Sequence, residues 1–511
     1  MKNTILLLFE ALPCLHSSSY VLRFNKEKYV SQNIVSILLF LSLSTCLSCN
    51  DTQGTYFEGA TCIENITLID AANGLREQQT VVLRDERILS ISNTSDLKLS
   101  KQNKIVDGSG KYLIPGLWDA HVHFDFIEEL APAMFDLFLA YGITSLRDTG
   151  GKIDFVKKWK AQSLADPSNT PRLLITGPLL DGMPNVYDGS SPMRPALSVG
   201  LVDVEAAVEK VDELAEQGVD LLKAYEMLSP EQFEAIVKRA NEKGLKVTGH
   251  IPLSMDAISV SNLGIHSMEH LRNLELSMAE NTEELLKMRR QLLAMGKAEE
   301  GGVLRSKIHT AQRMEALSHQ DDAKTQQIIE VLASNKIWQI PTLSVMTAIV
   351  DHPFARPAWR QSFDYLPDTV EHKWKTGLAD FLTLEVPNDR KTYANWMFET
   401  TKAVQDAGVG VLAGTDCPIF YLTPGLSLHG ELELLVAAGL SNMEALASAT
   451  LHPAQYFELE DEIGLVEAGM LSDLLILDAN PLENISNTQQ IHTIIKHGKW
   501  HQPAAILARL K

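Results

Sequence analysis

Short apolar segments alternate with amphipathic segments through the middle of the chain. Stretches such as "LVDVEAAVEKVDELAEQG" and "SPEQFEAIVKRANEKG" repeat apolar residues at intervals of three and four, which is typical of helices that cover a sheet. Between such stretches lie eight candidate strands: "GLWDAHVHF", "ITSLRDTG", "RLLITGPLL", "DLLKAYEM", "LKVTGHIP", "IHSMEHL", "KIWQIPTLSV" and "GVGVLAGTD". Eight strands that alternate with helices predict an α/β protein with a (β/α)8 TIM barrel over residues 116–455, and a doubly wound open sheet is the alternative.

Two β-rich segments flank this region. The first contains "ATCIENITLID", "TVVLRDERILSIS" and "KIVDGSGKYLIPG", in which short β-rich runs are broken by Gly, Asn and Asp. A similar pattern returns in "DLLILDANP" and "HTIIKHGKW" near the other end. We therefore predict that residues 50–115 and 456–511 form a small β-sandwich domain assembled from both chain ends.

The first part of the chain has the pattern of an export signal. Basic residues in "RFNKEKY" precede the apolar run Ile34–Ser44, and the polar sequence "TCLSCN" follows. A run of eleven residues is shorter than the roughly 20 that a membrane-spanning helix needs. We predict an export signal over residues 1–49, with a buried N-terminal helix as the alternative. "LSTC" at Cys46 resembles a bacterial lipoprotein signal and Cys49 is the competing site, so we expect a periplasmic protein or a lipid-anchored one.

Composition restricts the range of partners. The 511 residues are 45% hydrophobic and 22% charged, as in ordinary folded proteins. The formal net charge of −20 would repel nucleic acid and anionic membrane surfaces, so we expect a small-molecule substrate and no nucleic-acid partner. Five scattered cysteines are too few for a disulfide framework.

Polar side chains stand at the ends of the predicted barrel strands, where the active sites of TIM barrels lie. His121 and His123 are two residues apart, so in a strand they face the same side. Further strands carry Lys223, His250, His270 and Asp416. Singly, each residue has a structural explanation, such as a surface lysine or a helix N-cap. Together they predict a shared metal site, because neutral imidazole and carboxylate bind Zn²⁺ well.

The motifs "PGLWDAHVHF", "LLKAYE", "VTGHIP", "SMEHL" and "LAGTDCP" resemble those of the amidohydrolase superfamily of metal-dependent hydrolases, in order and spacing. The later segment "GLVEAGMLSDLLILDANPL" is similar to the returning sheet segment of that family. The resemblance covers about residues 60 to 500 and is nearest to the prolidase-like and imidazolonepropionase-like branches. The chain departs from the commoner prolidase-like pattern at "GHIP", where a second histidine is often found.

This resemblance implies a set of metal ligands. One ion would be held by His121, His123 and Asp416, and a second by His250 and His270. By the same resemblance, Lys223 would react with CO₂ to give an anionic carbamate that bridges both ions, whereas a lysine ammonium cannot ligate a metal. Two Zn²⁺ per chain are therefore favoured. In the alternative, Lys223 stays protonated and the site holds one ion, as in the deaminase and imidazolonepropionase branches.

The resemblance further implies hydrolysis of an amide-type C–N bond, in a dipeptide or N-acyl compound, by metal-activated water. Asp416 would be the catalytic acid–base group. Tyr225, Arg147 and His429 are candidates for substrate contact, although each also has a structural explanation. Two other functions are considered: a mononuclear cyclic amidohydrolase or deaminase, and a non-catalytic surface solute-binding protein.

Overall fold

The computed structural model of the chain describes residues 54–511, so the predicted export signal lies outside the described residues. The strands are β1 (Thr61–Asp70), β2 (Gly74–Arg84), β3 (Arg87–Asn93), β4 (Lys104–Asp107), β5 (Tyr112–Pro115), β6 (Leu117–Val122), β7 (Ile143–Asp148), β8 (Arg172–Ile175), β9 (Leu179–Gly182), β10 (Asp188–Ser191), β11 (Arg194–Ala196), β12 (Ser198–Leu201), β13 (Leu221–Ala224), β14 (Lys246–Gly249), β15 (Ser267–Glu269), β16 (Trp338–Ile340), β17 (Leu474–Leu477), β18 (Ile491–Lys496) and β19 (Lys499–His501).

The α-helices are α1 (Ala131–Ala140), α2 (Ile153–Ala165), α3 (Val204–Glu216), α4 (Pro230–Glu242), α5 (Ala257–Leu263), α6 (Leu274–Ser277), α7 (Thr282–Met295), α8 (Gly301–Ser318), α9 (Asp322–Ser334), α10 (Leu343–Asp351), α11 (Pro357–Gln361), α12 (Asp368–Phe381), α13 (Asn388–Asp406), α14 (Leu426–Ala437), α15 (Asn442–Ser448), α16 (Leu451–Tyr456) and α17 (Pro503–Leu507). Short 3-10 helices span Thr94–Asp96, Pro353–Ala355, Ser362–Tyr365, Ile419–Tyr421, Ile485–Gln489 and Ala508–Leu510. Within residues 54–511, no helix has both the length and the apolar character that crossing a bilayer requires.

Parallel strands form the central part of the fold. β6, β7 and β8 make one parallel sheet, and β12, β9, β13, β14, β15 and β16 make another in that order. Seven of the eight predicted strands therefore contain observed strands. The eighth, "GVGVLAGTD", forms single parallel bridges instead: Val411 pairs with Gln339 of β16, and Cys417 pairs with Val122 of β6. The arrangement is a TIM-barrel-like α/β fold.

Both chain ends contribute to a separate mixed sheet. Its strand order is β19-β18-β17-β5-β1-β2-β3, with β4 beside β1. β17 runs antiparallel to β5, with Leu475 opposite Ile114. Because side chains alternate across a strand, Leu474 and Ile476 pack into the sheet's own core, whereas Leu475 and Leu477 pack into the main core.

Local sequence signals explain where the helices begin. Ser229 caps α4 together with Gln232 in a capping box, and Pro230 occupies the first turn, where its missing N–H costs nothing. Asp203 caps α3 through its side chain. These caps fix the chain direction just after β12 and β13, and so the positions of the loops at the strand ends.

Candidate metal centre

The six predicted metal ligands lie at the carboxyl ends of neighbouring strands. They are His121 in β6, His123 just after it, Lys223 in β13, His250 after β14, His270 after β15, and Asp416 in the bridging segment. All six are buried, and even the most accessible, Asp416, is 8% exposed. The ring centroid of His121 lies 5.3 Å from that of His123 and 4.8 Å from that of His270, and His250 lies 4.8 Å from His270. The structure therefore brings these side chains together.

Three of the histidines are oriented by hydrogen bonds at Nδ1. His123 Nδ1 lies 3.0 Å from the Gly150 carbonyl oxygen, and His270 Nδ1 lies 2.5 Å from Thr342 Oγ1. His250 Nδ1 lies 2.7 Å from a carboxylate oxygen of Glu226. A partner at Nδ1 fixes the ring and leaves Nε2 to ligate, which is the usual arrangement of metal-binding histidines.

Asp416 lies between the histidine rings. Its Oδ1 is 3.1 Å from His123 Nε2 and 3.3 Å from His121 Nε2, and its Oδ2 is 3.9 Å from His270 Nε2. Both Asp416 (φ 61°) and His270 (φ 62°) have left-handed backbone conformations. Such conformations cost free energy and cluster at functional sites, where surrounding contacts hold them.

Lys223 forms an ion pair that the sequence did not reveal. Its Nζ lies 2.6 Å from Glu269 Oε2 and 3.4 Å from His121 Nε2. Glu269, the last residue of β15, is buried and also lies 3.6 Å from His121 Nδ1. Two groups therefore have ligand atoms within 4.8 Å of one another: His121, His123 and Asp416, and His121, Glu269 and His270.

Burial keeps most of these imidazoles neutral. It lowers the pKa of His121 and of His270 well below the usual value, and neighbouring cations add to the effect. Burial also lowers the pKa of His250 to about 4, despite the Glu226 carboxylate beside it. At His123, burial acts in the same direction, but the hydrogen bond to Asp416 and its charge outweigh it and raise the pKa. Neutral imidazole is the form that binds a metal ion.

Glu226 connects the candidate ligand His250 to helix α8. Its second oxygen lies 2.7 Å from His309 Nε2 on α8, and its first lies 3.6 Å from Arg305 of the same helix. Burial would raise the pKa of Glu226, but Arg305, His309 and Arg272 hold it well below the usual value. Sequence reasoning missed this group. The available signal is the spacing of Arg305, His309 and Arg313, which are four residues apart and so lie on one helix face.

Two cavities border the centre. The first, of about 40 Å³, is lined by His123, Lys223, Tyr225, His250 and Asp416 among others. The second, of about 480 Å³, shares Arg272, Arg305 and Asp416 with the first and extends outward along α8. Tyr225, a predicted substrate contact, lines the first cavity, and its hydroxyl accepts a hydrogen bond of 2.9 Å from Arg305.

Two predicted substrate contacts do not fit the structure. Arg147 is fully buried and lines neither cavity, because its guanidinium is committed to the Ala120 carbonyl oxygen and to Glu269, 3.1 Å away. His429 is also buried, and its nitrogens bond to Thr488 Oγ1 at 2.8 Å and the Tyr141 carbonyl oxygen at 2.9 Å. Both side chains have structural roles.

The fold and the site define a TIM-barrel-like α/β protein with candidate metal ligands at its strand ends. The Amidohydrolase family model matches residues 365–501. Imidazolonepropionase of Geobacillus sp. (strain WCH70) is 31% identical over 131 residues, which cover 24% of this chain and 27% of that protein. The curated relatives are matched over 14 to 27% of their own lengths.

Solved structures match over a greater length. A bottromycin amidohydrolase has a TM-score of 0.66 at 20% identity, over 89% of each chain. A Xaa-Pro dipeptidase with bound methionine has a TM-score of 0.62 at 17% identity, over 86% of this chain and 99% of that one. At these identities the likeness concerns the fold. Taken with the family match, it confirms the resemblance of this chain to the amidohydrolase superfamily.

Proposed function

We propose that the protein is a metal-dependent hydrolase that cleaves an amide-type C–N bond in a dipeptide or N-acyl compound. The observation that carries this proposal is the convergence of four buried histidines, Lys223 and Asp416 on one point at the strand ends. Relatives named as an imidazolonepropionase and a Xaa-Pro dipeptidase support hydrolysis of C–N bonds.

The donor set fits divalent cations. His121 Nδ1 and His250 Nε2 are buried and have no hydrogen-bond partner among the described residues, and such orphaned atoms are costly unless something binds them. We propose two Zn²⁺, one held by His121, His123 and Asp416 and the other by His250 and His270, with a CO₂-derived carbamate on Lys223 between them. Imidazole and carboxylate are ligands that zinc accepts.

The chain's own residues supply the proton transfers. A bound divalent cation would lower the pKa of water to about 7 and polarise the substrate carbonyl. Asp416 accepts the proton of the attacking water and later delivers it to the leaving nitrogen. Tyr225 donates a hydrogen bond to the substrate. Its phenol keeps its proton, because burial raises its pKa well above the usual value. That proton is free to be donated, because Arg305 donates to a lone pair of the hydroxyl oxygen.

A mononuclear cyclic amidohydrolase or deaminase is the second candidate. The ion pair between Lys223 and Glu269, whose charged atoms lie 2.6 Å apart, favours it, because carbamate formation on Lys223 would break this pair. A non-catalytic solute-binding protein is disfavoured, since a vestigial site should have lost one of its ligands.

Metal content and a substrate screen test these proposals. Protein purified with zinc should contain close to two ions per chain by elemental analysis, and it should hydrolyse members of a panel of dipeptides and N-acyl amino acids. A saturating content of one ion, with turnover of lactams or amidines, would replace the first candidate by the second. Full metal loading without turnover of any compound would reject both.

Two finer architectural predictions remain proposals. We propose that the parallel strands close into an eight-stranded barrel over residues 116–455, with residues 408–416 as the last strand. Bridges to both β16 and β6 support this closure. We also propose that residues 50–115 and 456–511 form a β-sandwich domain; the pairing of β17 with β5 supports its assembly from both segments.

We further propose that the protein is exported and resides in the periplasm, free or lipid-anchored. Support comes from the basic and apolar pattern in residues 1–49 and from Cys46 and Cys49. Fractionation of the native host, with N-terminal analysis of the mature chain, tests this. A cytoplasmic protein that retains Met1 would contradict it.

A further inference from the structure

Four arginines surround the cavity of about 480 Å³ that opens from the metal centre. Arg305 and Arg313 come from α8, Arg390 from the first turn of α13, and Arg272 from the loop after β15. On a chain with a formal net charge of −20, this is a local concentration of positive charge. We call this space the arginine cavity.

The two arginines nearest the metal centre, Arg272 and Arg305, have few hydrogen-bond acceptors within reach. Glu226 Oε1 is 3.5 Å from Arg272 and 3.6 Å from Arg305, but both Glu226 oxygens already have histidine partners at 2.7 Å. The Nε atoms of Arg272 and Arg305 are buried without a hydrogen-bond partner among the described residues. Since a guanidinium carries five N–H donors, several donors are left for a ligand.

The two arginines farther from the metal centre, Arg313 and Arg390, also line the cavity. Arg313 lies 3.5 Å from Glu275 and stacks 4.3 Å from the Tyr393 ring centroid, which holds its guanidinium at the cavity wall. Arg390 lies on the exposed first turn of α13, where it lines the cavity mouth. Two carboxylates line the cavity: Asp416 at the inner end among the histidines, and Asp389 beside Arg390 at the exposed rim.

The arginine cavity and the metal centre form one continuous site. They share Arg272, Arg305, Tyr187 and Asp416 as lining residues. A ligand group bound by the arginines would therefore lie next to the scissile C–N bond, on which Asp416 acts. Carboxylate matches a guanidinium in charge and in bidentate geometry.

We propose that the arginine cavity binds the carboxylate of the substrate, on the leaving-amine side of the scissile bond. The substrate class is then N-acyl amino acids and dipeptides with a free C-terminal carboxylate, and neutral amides and lactams are poor substrates. The inference rests on the proposed function for the nature of the bond, but carboxylate recognition can be measured without turnover.

Matched ligand pairs test the proposal. The zinc-loaded full chain is given N-acetyl-L-methionine and N-acetyl-L-methioninamide, which differ only in the carboxylate. Binding is measured by calorimetry, on wild type and on zinc-loaded Asp416→Asn to suppress turnover, and hydrolysis is measured separately. The acid should bind at least about tenfold more tightly than the amide, as expected for a charge-assisted hydrogen bond.

Variants locate the binding group. Arg390→Gln and Arg305→Gln should each remove most of the preference for the acid, while Arg390→Lys should retain part of it. Arg360→Gln, an exposed arginine on α11 outside the cavity, is the matched control and should behave as wild type.

The outcomes separate the two proposals. Equal binding of acid and amide by wild type overturns the carboxylate assignment, and so does a preference that survives both glutamine variants. A preference for the acid that depends on the arginines, without hydrolysis of either compound, supports the assignment and counts against the proposed hydrolase.

Discussion

Asp416 combines an unusual backbone with a central side chain. Its φ of 61° disfavours most L-residues, but aspartate tolerates this conformation better than bulky or β-branched ones. Its amide donates to the His121 carbonyl oxygen at 2.7 Å, which ties the bridging segment to β6. The carboxylate is thereby held among the histidines without relying on a flexible loop.

Replacement of Asp416 by asparagine separates catalysis from structure. Asparagine keeps the shape and one oxygen but cannot accept the proton, so Asp416→Asn should lower kcat by at least about a hundredfold. A residue that merely capped a helix would cost about 1 kcal/mol of stability and leave turnover intact. The measurement is kcat together with zinc content and Tm in one preparation. Near-normal kcat at full zinc content would end the acid–base assignment.

The chemical state of Lys223 decides whether the site holds one metal ion or two. If its carbamate bridges two ions, Lys223→Ala should lose at least one ion and most activity, and a short carboxylate such as acetate should restore part of both. If Lys223 is instead a cation paired with Glu269, the variant leaves Glu269 Oε2 buried without its partner, while Arg147 still contacts Oε1 at 3.1 Å. Such a variant should lose about 1–3 kcal/mol of stability, and acetate would not rescue it. Zinc content and Tm, with and without acetate, decide between these results.

The candidate ligands were recognisable from the sequence, whereas their partners were not. Each ligand stands at the end of a strand in a recognisable motif, as His121 and His123 do in "DAHVHF". Glu226 and Glu269 are neighbours of such residues in the chain, and no local pattern shows that they turn toward the site. Arg147 was misinterpreted because its strand position resembles that of a ligand, while its partners lie on other strands.

At the scale of elements, α8 reaches back to the strand ends. His309 contacts Glu226, which in turn holds His250, so the helix and a candidate metal ligand share one carboxylate. This helix belongs to the long segment between β15 and β16. The role of the polar face of α8 depends on residues that contact it in the folded protein, so the helix sequence alone does not reveal it.

Glu226→Gln tests this connection. The amide cannot hold both His250 and His309 as a carboxylate does, and it removes the negative charge beside two arginines. Loss of such a supporting partner typically costs 10–100-fold in metal affinity, and we expect a decrease in zinc affinity of about that size. Zinc affinity is measured by competition with a chelator. Glu433→Gln, a surface change outside the site, is the control; equal affinities for the two variants would contradict the proposed role.

The eighth predicted strand does not form a regular strand, and close contacts with its neighbours explain why. A Cβ at Gly410 would lie 2.2 Å from the Trp338 ring, and one at Gly414 would lie 2.7 Å from His121 Cβ. The segment is thus pressed against its neighbours, and glycine permits this close approach. It bends through the left-handed Asp416 instead of continuing as a regular strand. The sequence predicted the segment's position but not its irregular pairing.

At the scale of the whole molecule, the pairing of distant segments was the least predictable feature. Alternating patterns identified β-rich stretches near both ends, and those stretches share one sheet. The strand order, in which β17 lies between β18 and β5, depends on contacts between segments that are hundreds of residues apart. Local pattern carries no information on such partners, because register is set by packing across the sheet.

His429 is one of the groups that tie these segments together. It lies on α14 and bonds both to Tyr141, just after α1, and to Thr488 in the Ile485–Gln489 helix. Burial lowers its pKa to about 4, from 6.5 for an ordinary histidine. The unfolded chain therefore binds the proton more readily than the folded chain between these two values. Stability from neutral His429 is complete above pH 6.5 and is lost as the pH falls toward 4.

We expect the destabilisation caused by His429→Gln to disappear or reverse as the pH falls through this range. At pH 7 the variant should be about 1–3 kcal/mol less stable, since it leaves buried hydrogen bonds imperfectly satisfied. Between pH 6.5 and 4, wild type should lose about 3 kcal/mol more than the variant, the equivalent of the shift to about 4. Urea unfolding of chelator-treated protein across this range measures both, without metal release. His372→Gln, an exposed histidine on α12, is the control. Parallel pH profiles for wild type and His429→Gln would show that this histidine does not link folding to protonation.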